Sequence, residues 1–209
     1  MATTKRGFTL IEMLVVIAIL GILMSLAVVG VSAALASAKV SKTEAIIEQL
    51  VSCLETYRFS RWGDYPPSTL GEFKISMPNE INNGAEAMTA CLASTQKGGS
   101  LLGNIRDDQY VNIDGDSTSR NITEWFFGDL SLREIADAYV QPLVYMNHKD
   151  YARAGPAIRR YRFDAGQPEV LIEPERSAAT RTFLRPDKFQ LFSVGRDGKP
   201  GTADDIRAR

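Results

Sequence analysis

An uncharged apolar run near the N-terminus constrains this chain more than any other feature. Between Phe8 and Ala38 the only ionisable side chain is Glu12, and residues 13–38 contain no charge at all. A helix of about 20 apolar residues is long enough to cross a bilayer. In a chain of 209 residues, this run predicts a single membrane-spanning segment with most of the chain outside the membrane.

Two basic residues, Lys5 and Arg6, stand just before the apolar run. Basic residues that flank a spanning segment favour the cytoplasmic side, so the N-terminus is predicted inside and the remainder outside the cytoplasm. A secretory signal also starts with basic and apolar residues, but it ends in a cleavage site after about 7 to 15 apolar residues. Because the run here continues well past that length, the sequence favours a retained anchor.

The apolar run continues directly into an amphipathic pattern. From Val40 to Tyr57 apolar residues recur at a spacing of three and four, and charged residues lie between them. No proline interrupts residues 8–65. The pattern predicts one helix of about 50 residues, roughly 75 Å long. The segment Tyr65-Pro66-Pro67-Ser68 is predicted to end it.

The rest of the chain predicts a head domain of the α+β class. A helix is expected over 85–94, and strands are expected over 143–146, 158–163 and 188–194. Local helix followed by strands favours a long N-terminal helix, first transmembrane and then amphipathic, packed on a small antiparallel sheet.

Composition argues against several classes of function. Lys and Arg total 24 against 25 Asp and Glu, so the formal charge of −1 provides no overall basic field for nucleic acid. One histidine, His148, and two cysteines leave little material for histidine-based catalysis or a cysteine-rich zinc site. Phosphate-loop, nucleophile-elbow and zinc signatures do not occur. An enzyme is therefore not expected.

Cys53 and Cys91 are consistent with one disulfide bridge or with two buried thiols.

The N-terminal residues carry the most specific motif. Residues 5–12, Lys-Arg-Gly-Phe-Thr-Leu-Ile-Glu, resemble the signal of type IV pilins and of type II secretion pseudopilins. The resemblance implies that a prepilin peptidase cuts between Gly7 and Phe8 and methylates the new N-terminal amine of Phe8. Residues 1–7 would then be a leader peptide.

Glu12 lies inside the apolar run, where an ionisable group costs roughly 3 kcal/mol and usually marks a function. The resemblance implies that its carboxylate pairs with the N-terminal ammonium of Phe8 in a neighbouring subunit. Such a pair would offset the desolvation of both charges and set the axial register of a helical filament. The alternative is a carboxylate that reaches the lipid headgroups.

Residues 193–206 resemble the C-terminal calcium loop of the major, G-type pseudopilin of type II secretion. Calcium takes about 6 to 8 oxygen ligands, and carboxylates crowded into a short loop repel one another without a cation. The alternative is a solvated acidic turn. The ligands implied by the resemblance are the side chains of Asp197, Asp204 and Asp205 and the backbone carbonyls of Val194 and Thr202.

A second polar segment carries Asn112, Asp114 and Asp116 at alternate positions. Without a matching distal glutamate these residues do not complete an EF-hand. The sequence therefore favours a polar loop at 112–116.

The resemblance also implies a domain order and a function. The implied function is a structural subunit of a periplasmic pseudopilus that supports type II protein secretion across the outer membrane. The alternative is a type IV pilin or a minor pseudopilin at the fibre tip.

The implied location is the bacterial inner membrane, which the chain crosses once with a cytoplasmic N-terminus and a periplasmic head. After assembly the implied location is a periplasmic filament. The implied partners are further copies of the chain, the prepilin peptidase, other pseudopilins and the inner-membrane secretion platform. The segments are the leader 1–7, the spanning and filament-core helix 8–38, its amphipathic continuation 39–65, and the head 66–209, with an insertion at 78–135 and the calcium loop at 188–209.

Overall fold

The structure is a computed structural model in two compact units, Met1–Lys39 and Val40–Arg209. Gly7 and the rest of the predicted leader lie outside the described residues. The described residues are 8–59, 63–75, 77–94, 100–118, 124–153 and 155–208.

A single helix, α1 (Leu10–Tyr57), spans 48 residues and confirms the predicted long helix. In the first unit its apolar side chains are exposed, whereas in the second unit its apolar stripe, including Leu50 and Leu54, is buried. The helix ends before Tyr65, the end predicted from the prolines. The Tyr65-Pro66 turn is held against the sheet, where Tyr145 Oη donates to Pro66 O at 2.6 Å.

The second unit is α+β, as predicted. Its elements are α2 (Asn83–Ala93), β1 (Tyr110–Val111), α3 (Glu124–Phe127), β2 (Glu134–Ile135), β3 (Val144–Asn147), α4 (Pro156–Arg159), β4 (Arg160–Tyr161), β5 (Val170–Leu171), β6 (Phe189–Ser193) and β7 (Ile206–Arg207). A three-stranded antiparallel sheet has the order β3-β6-β7, and two short antiparallel pairs, β1-β2 and β4-β5, accompany it.

Most of the predicted elements are present close to their predicted bounds. The helix expected over 85–94 is α2, and the strands expected over 143–146 and 188–194 are β3 and β6. The strand expected over 158–163 is only partly correct, because its first residues form the helical turn α4. Proline suits the first position of a helix, and Pro156 starts this turn.

The β3-β6 ladder separates two apolar clusters, since alternate strand residues point to opposite faces. Tyr145, Phe189 and Leu191 pack with α1 and α2 on one face. Val144 and Phe192 pack on the other face with the residues around Tyr161 and Phe163. The helix α2 lies within the segment 78–135, and all 11 of its residues are buried. That part of the segment therefore belongs to the core of the head.

Cys53 and Cys91 are both free thiols, the second of the two alternatives open from the sequence. The Cys53 thiol donates a hydrogen bond to Leu101 O at 3.1 Å, and burial raises the pKa of this thiol. Both residues belong to the cluster between α1 and α2, where they act as small apolar side chains.

Candidate functional site

The N-terminal end of α1 is held by a reciprocal cap between Thr9 and Glu12. The Thr9 backbone N–H and hydroxyl each donate to Glu12 Oε2 at 2.8 Å. The Glu12 backbone N–H donates in return to Thr9 Oγ1 at 3.3 Å. This arrangement is a capping box, and the Thr-x-x-Glu pattern at 9–12 is its sequence signature. Sequence reasoning assigned Glu12 to contacts between subunits or to the lipid headgroups, and it missed this local role.

The cap uses only one of the two Glu12 carboxylate oxygens and leaves the other available for a further contact. All three contacts involve one side-chain oxygen, Oε2, or the Glu12 backbone. Among the described residues, Glu12 Oε1 accepts no hydrogen bond. Phe8 directly precedes the cap, and 73% of it is exposed. One carboxylate oxygen and the predicted new N-terminus thus lie at the same end of the helix.

The helix that follows this cap presents an apolar surface. Leu10, Ile17 and Leu35 are among its large side chains that are more than half exposed. By length and composition, α1 is the one helix of the described residues that is suited to crossing a membrane. An exposed apolar surface of this size is compatible with membrane anchoring or with burial between copies of the helix.

The C-terminal loop joins β6 to β7 and contains the five predicted calcium ligands. Gly195, Gly198 and Gly201 have φ values of 68°, 67° and 82°, a region that favours glycine. A Cβ atom on Gly195 would collide with the backbone of Asp204. Glycine at 195 therefore lets the two ends of the loop approach each other closely.

Asp197 and Asp204 meet at the hydroxyl group of Thr202. Thr202 Oγ1 lies 2.5 Å from Asp204 Oδ1 and 3.4 Å from Asp197 Oδ1. Asp204 Oδ2 accepts from the backbone N–H groups of Arg196 at 2.7 Å and of Asp197 at 3.1 Å. The Thr202 hydroxyl, together with these N–H groups, holds the pKa of Asp204 below its usual value. Sequence reasoning gave Thr202 a role only through its carbonyl.

Asp205, the third predicted side-chain ligand, is anchored beside these two. Its Oδ2 accepts from Gly201 N at 2.8 Å and from Arg207 Nη2 at 2.9 Å. Its side chain is fully buried, and among the described residues Oδ1 has no hydrogen-bond partner. The loop thus offers hard oxygen donors, one of them buried and unpaired, which is the donor type that calcium takes. The buried residue Val194 begins the loop directly after β6.

A buried aspartate fastens the base of this loop to the head. Asp137 Oδ2 accepts from Ser193 Oγ at 2.5 Å, and Ser193 Oγ accepts from Gly195 N at 3.0 Å. Asp137 Oδ1 shapes its own turn by accepting from the N–H groups of Tyr139 and Gln141. The loop therefore starts from a fixed point in the core.

The second polar segment differs from the sequence expectation. Asp114 and Asp116 meet Glu86 of α2, so that one carboxylate oxygen from each lies within 4.8 Å of the others. In the described part of the chain, this is the group of acidic side chains with a spacing suited to a metal ion. Asn112 instead shapes the loop, because its Oδ1 accepts from Gly115 N at 2.7 Å and from Asp116 N at 3.1 Å.

Three acidic side chains around α2 have raised pKa values, because burial disfavours their charged forms. Burial, reinforced by the neighbouring carboxylates, raises the pKa of Glu86 well above its usual value. Burial and the charge of Asp114 raise the pKa of Asp116 to about 6. Burial also raises the pKa of Glu134, on β2, to about 8. Such shifts mean that these carboxylates lack the counter-charges that would stabilise them.

Comparison with known proteins bears on the N-terminal site. Residues 3–28 match the family model of the prokaryotic N-terminal methylation motif. The chain carries a prepilin-type methylation motif. No curated protein and no solved structure matches the chain at a significant level.

The methylation motif covers Gly7, Phe8 and Glu12, the three residues that the sequence assigned to processing and assembly. It supports a pilin-like or pseudopilin-like protein, and it implies processing by a prepilin peptidase and pilin-like assembly. The α+β fold with a long N-terminal apolar helix is consistent with that class.

Proposed function

We propose that this protein is a non-enzymatic structural subunit of a periplasmic pseudopilus that supports type II protein secretion across the outer membrane. The observation that carries the proposal is the methylation motif at residues 3–28, which includes the Thr9-Glu12 cap and the first part of a helix with exposed apolar side chains. A head domain on such a helix suits an open helical assembly, in which one heterologous contact repeats without closing.

In this proposal, assembly follows from the residues at the start of α1. Cleavage after Gly7 gives Phe8 a free, methylated amine next to the Thr9-Glu12 cap. The cap holds the Glu12 carboxylate in place and leaves Oε1 to accept from the Phe8 amine of a neighbouring subunit. Pairing offsets the desolvation of both charges at once, which makes the contact specific for one axial register.

The C-terminal loop is proposed to bind calcium. Asp197, Asp204 and Asp205 would supply side-chain oxygens, and Val194 and Thr202 would supply backbone carbonyls. A bound calcium ion would neutralise the charge of the loop. The support is the unpaired buried oxygen of Asp205 and the meeting of the other two carboxylates at the Thr202 hydroxyl.

Processing is the first test of this function. The chain is produced in a bacterium with an active prepilin peptidase, and the membrane-extracted protein is analysed by mass spectrometry. The expected mature N-terminus is methylated Phe8, and a Gly7→Val variant should keep its leader. A mature end at a small residue beyond the apolar run would contradict the proposal and indicate an ordinary secretory signal.

A second test separates the pseudopilus from the type IV pilus. Deletion of the gene should abolish secretion of folded proteins through the outer membrane while leaving surface pili intact. Loss of surface pili with normal secretion would favour a type IV pilin. Reduced secretion with a normal major fibre would favour a minor subunit at the tip.

A further inference from the structure

The acidic group between α2 and the 112–116 loop lies outside the assembly and calcium-loop residues. Glu86 is in the first turn of α2, and Asp114 and Asp116 follow β1 in the chain. Glu134 of β2 is close enough to interact electrostatically with Glu86. Four acidic residues thus meet from three separate parts of the head, namely α2, the 112–116 loop and β2.

Glu86 is the most informative member of this group. It is 0% exposed, and both of its carboxylate oxygens are buried without a hydrogen-bond partner in the described part of the chain. Asp114 Oδ1, Asp116 Oδ1 and Glu134 Oε2 are buried in the same unpaired state. A carboxylate has only acceptor oxygens, so buried, crowded carboxylates need a cation, a proton or donor groups.

The neighbouring amides orient the carboxylates and leave one oxygen of each uncovered. Asn79 Nδ2 donates to Asp114 Oδ2 at 2.9 Å and to Asp116 Oδ2 at 3.4 Å. Asn82 Nδ2 donates to Glu134 Oε1 at 2.6 Å. Hydrogen bonds of this kind typically hold metal ligands in place. None of the ion pairs among the described residues involves Glu86, Asp114, Asp116 or Glu134.

We propose that Glu86, Asp114 and Asp116 bind a hard divalent cation, for which calcium is the best match, with Glu134 as a fourth carboxyl group beside the site. The ligand oxygens lie within 4.8 Å of one another. Oxygens that contact one calcium ion at about 2.4 Å lie at most about 4.8 Å apart. All the ligand atoms are oxygens, and oxygen ligands favour a hard cation over a soft metal ion. Asp114 is only partly buried and gives the ion a route in from solvent.

The bound cation would tie the buried helix α2 to the loop after β1, inside the segment 78–135. Its stabilising effect is therefore independent of the C-terminal loop and of processing at Phe8. Failure of this site leaves the proposed pseudopilin function untouched.

The test uses the full-length protein in detergent with the C-terminal loop disabled by Asp204→Ala. Calcium is titrated calorimetrically into this variant, and thermal unfolding is followed in excess calcium and in chelator. One equivalent of calcium should still bind and should raise the unfolding midpoint. Adding Glu86→Gln or Asp114→Asn should weaken that binding by at least tenfold, whereas Asp187→Asn, which removes an exposed charge elsewhere, should leave it unchanged.

The competing outcome is that Glu86 and Asp116 share a proton. In that case the Asp204→Ala protein binds no calcium, its midpoint is the same in calcium and in chelator, and Glu86→Gln raises the midpoint in chelator. That result would overturn the proposal.

The Asp114→Asn variant still tests the site if the Glu86 variant misfolds, because Asp114 lies outside α2. Circular dichroism in chelator establishes that each variant retains the parent fold.

Discussion

At the scale of single residues, Glu12 combines an observed local role with a proposed intersubunit role. Its side chain caps α1 through Thr9, and substitution of an N-cap typically costs about 1 kcal/mol. In the proposed filament the same carboxylate also pairs with a neighbour's amine. The two roles differ in what they require, because the cap needs only an acceptor oxygen whereas the pair needs a negative charge.

We therefore expect Glu12→Gln and Glu12→Ala to impair filament assembly equally while membrane insertion remains intact. The glutamine amide oxygen can still accept from Thr9, so Glu12→Gln removes the charge and keeps the cap. Filament yield in sheared fractions, with the membrane-bound fraction as reference, measures the effect. Thr9→Val is the matched control, since it weakens the cap and keeps the charge. Assembly of Glu12→Gln at the wild-type level would mean that the carboxylate serves only as a cap.

Gly84 is a second residue whose identity is fixed by its surroundings. A Cβ atom there would collide with the carbonyl of Tyr145 and the hydroxyl of Tyr161, which themselves form a 2.9 Å hydrogen bond. We expect Gly84→Ala to destabilise the head by about 1 to 3 kcal/mol, the usual cost of overpacking a core. Thermal unfolding measures this loss. Gly103→Ala, with open space around its Cβ, should change the midpoint little, and equal midpoints for the two variants would contradict the packing of α2 on β3.

At the scale of elements, the end of α1 is fastened to the β-sheet by polar contacts as well as by its apolar stripe. Glu55 Oε1 accepts from Lys188 Nζ at 2.9 Å and from Tyr65 Oη at 3.0 Å. Partial burial opposes ionisation of Glu55, but these hydrogen bonds outweigh it and leave the pKa below its ordinary value of 4.5. The group thus links the helix, the turn that follows it and β6.

Because of this lowered pKa, the stability of the folded head is expected to depend on pH in the acid range. A carboxylate with a lowered folded-state pKa stabilises the fold above its unfolded pKa, and the contribution is lost as the pH falls through the folded value. We expect the unfolding midpoint to fall between pH 5 and pH 3, values that bracket the ordinary pKa of 4.5. Glu55→Gln should lower the unfolding midpoint at pH 7. On acidification, the midpoint of this variant should fall less than that of the wild-type protein. The same fall on acidification in both proteins would assign the effect to other carboxylates.

At the scale of the whole molecule, the two proposed cation sites would stabilise the head at separate places. The C-terminal loop closes β6 onto β7, and the Glu86 group ties α2 to the 112–116 loop. A ligand that binds only the folded state adds about 2.7 kcal/mol at a hundredfold excess over its Kd. Two independent sites would therefore add two separate increments to the stability of one domain.

We expect Asp204→Ala and Asp197→Ala each to remove only the increment that comes from the loop. The reason is that either change removes both a ligand oxygen and a charge that attracts the cation. Unfolding midpoints in calcium and in chelator, compared with those of Glu86→Gln, separate the two contributions. Equal midpoints in calcium and in chelator for a Glu86→Gln protein with an intact loop would identify residues 194–205 as a solvated acidic turn.

Several features of this protein could be predicted from the sequence because their causes are local. The methylation motif, the uncharged run and α1 depend on residues that are adjacent or one helical turn apart. The same is true of α2, β3 and β6, whose apolar patterns match their observed bounds. The Thr9-Glu12 cap is equally local, and its Thr-x-x-Glu signature was available in the sequence.

Other features were decided only by the tertiary structure. The lack of a matching distal glutamate favoured a polar loop for Asn112, Asp114 and Asp116, and only folding brings Glu86 to these aspartates. The attachment of the Pro66 turn to the distant β3 is likewise a tertiary contact. A sequence pattern reports which face of an element is apolar, but not which element that face will meet. The proximity of charges from separate elements is set by packing, and the electrostatic free energy of a buried carboxylate depends on that proximity.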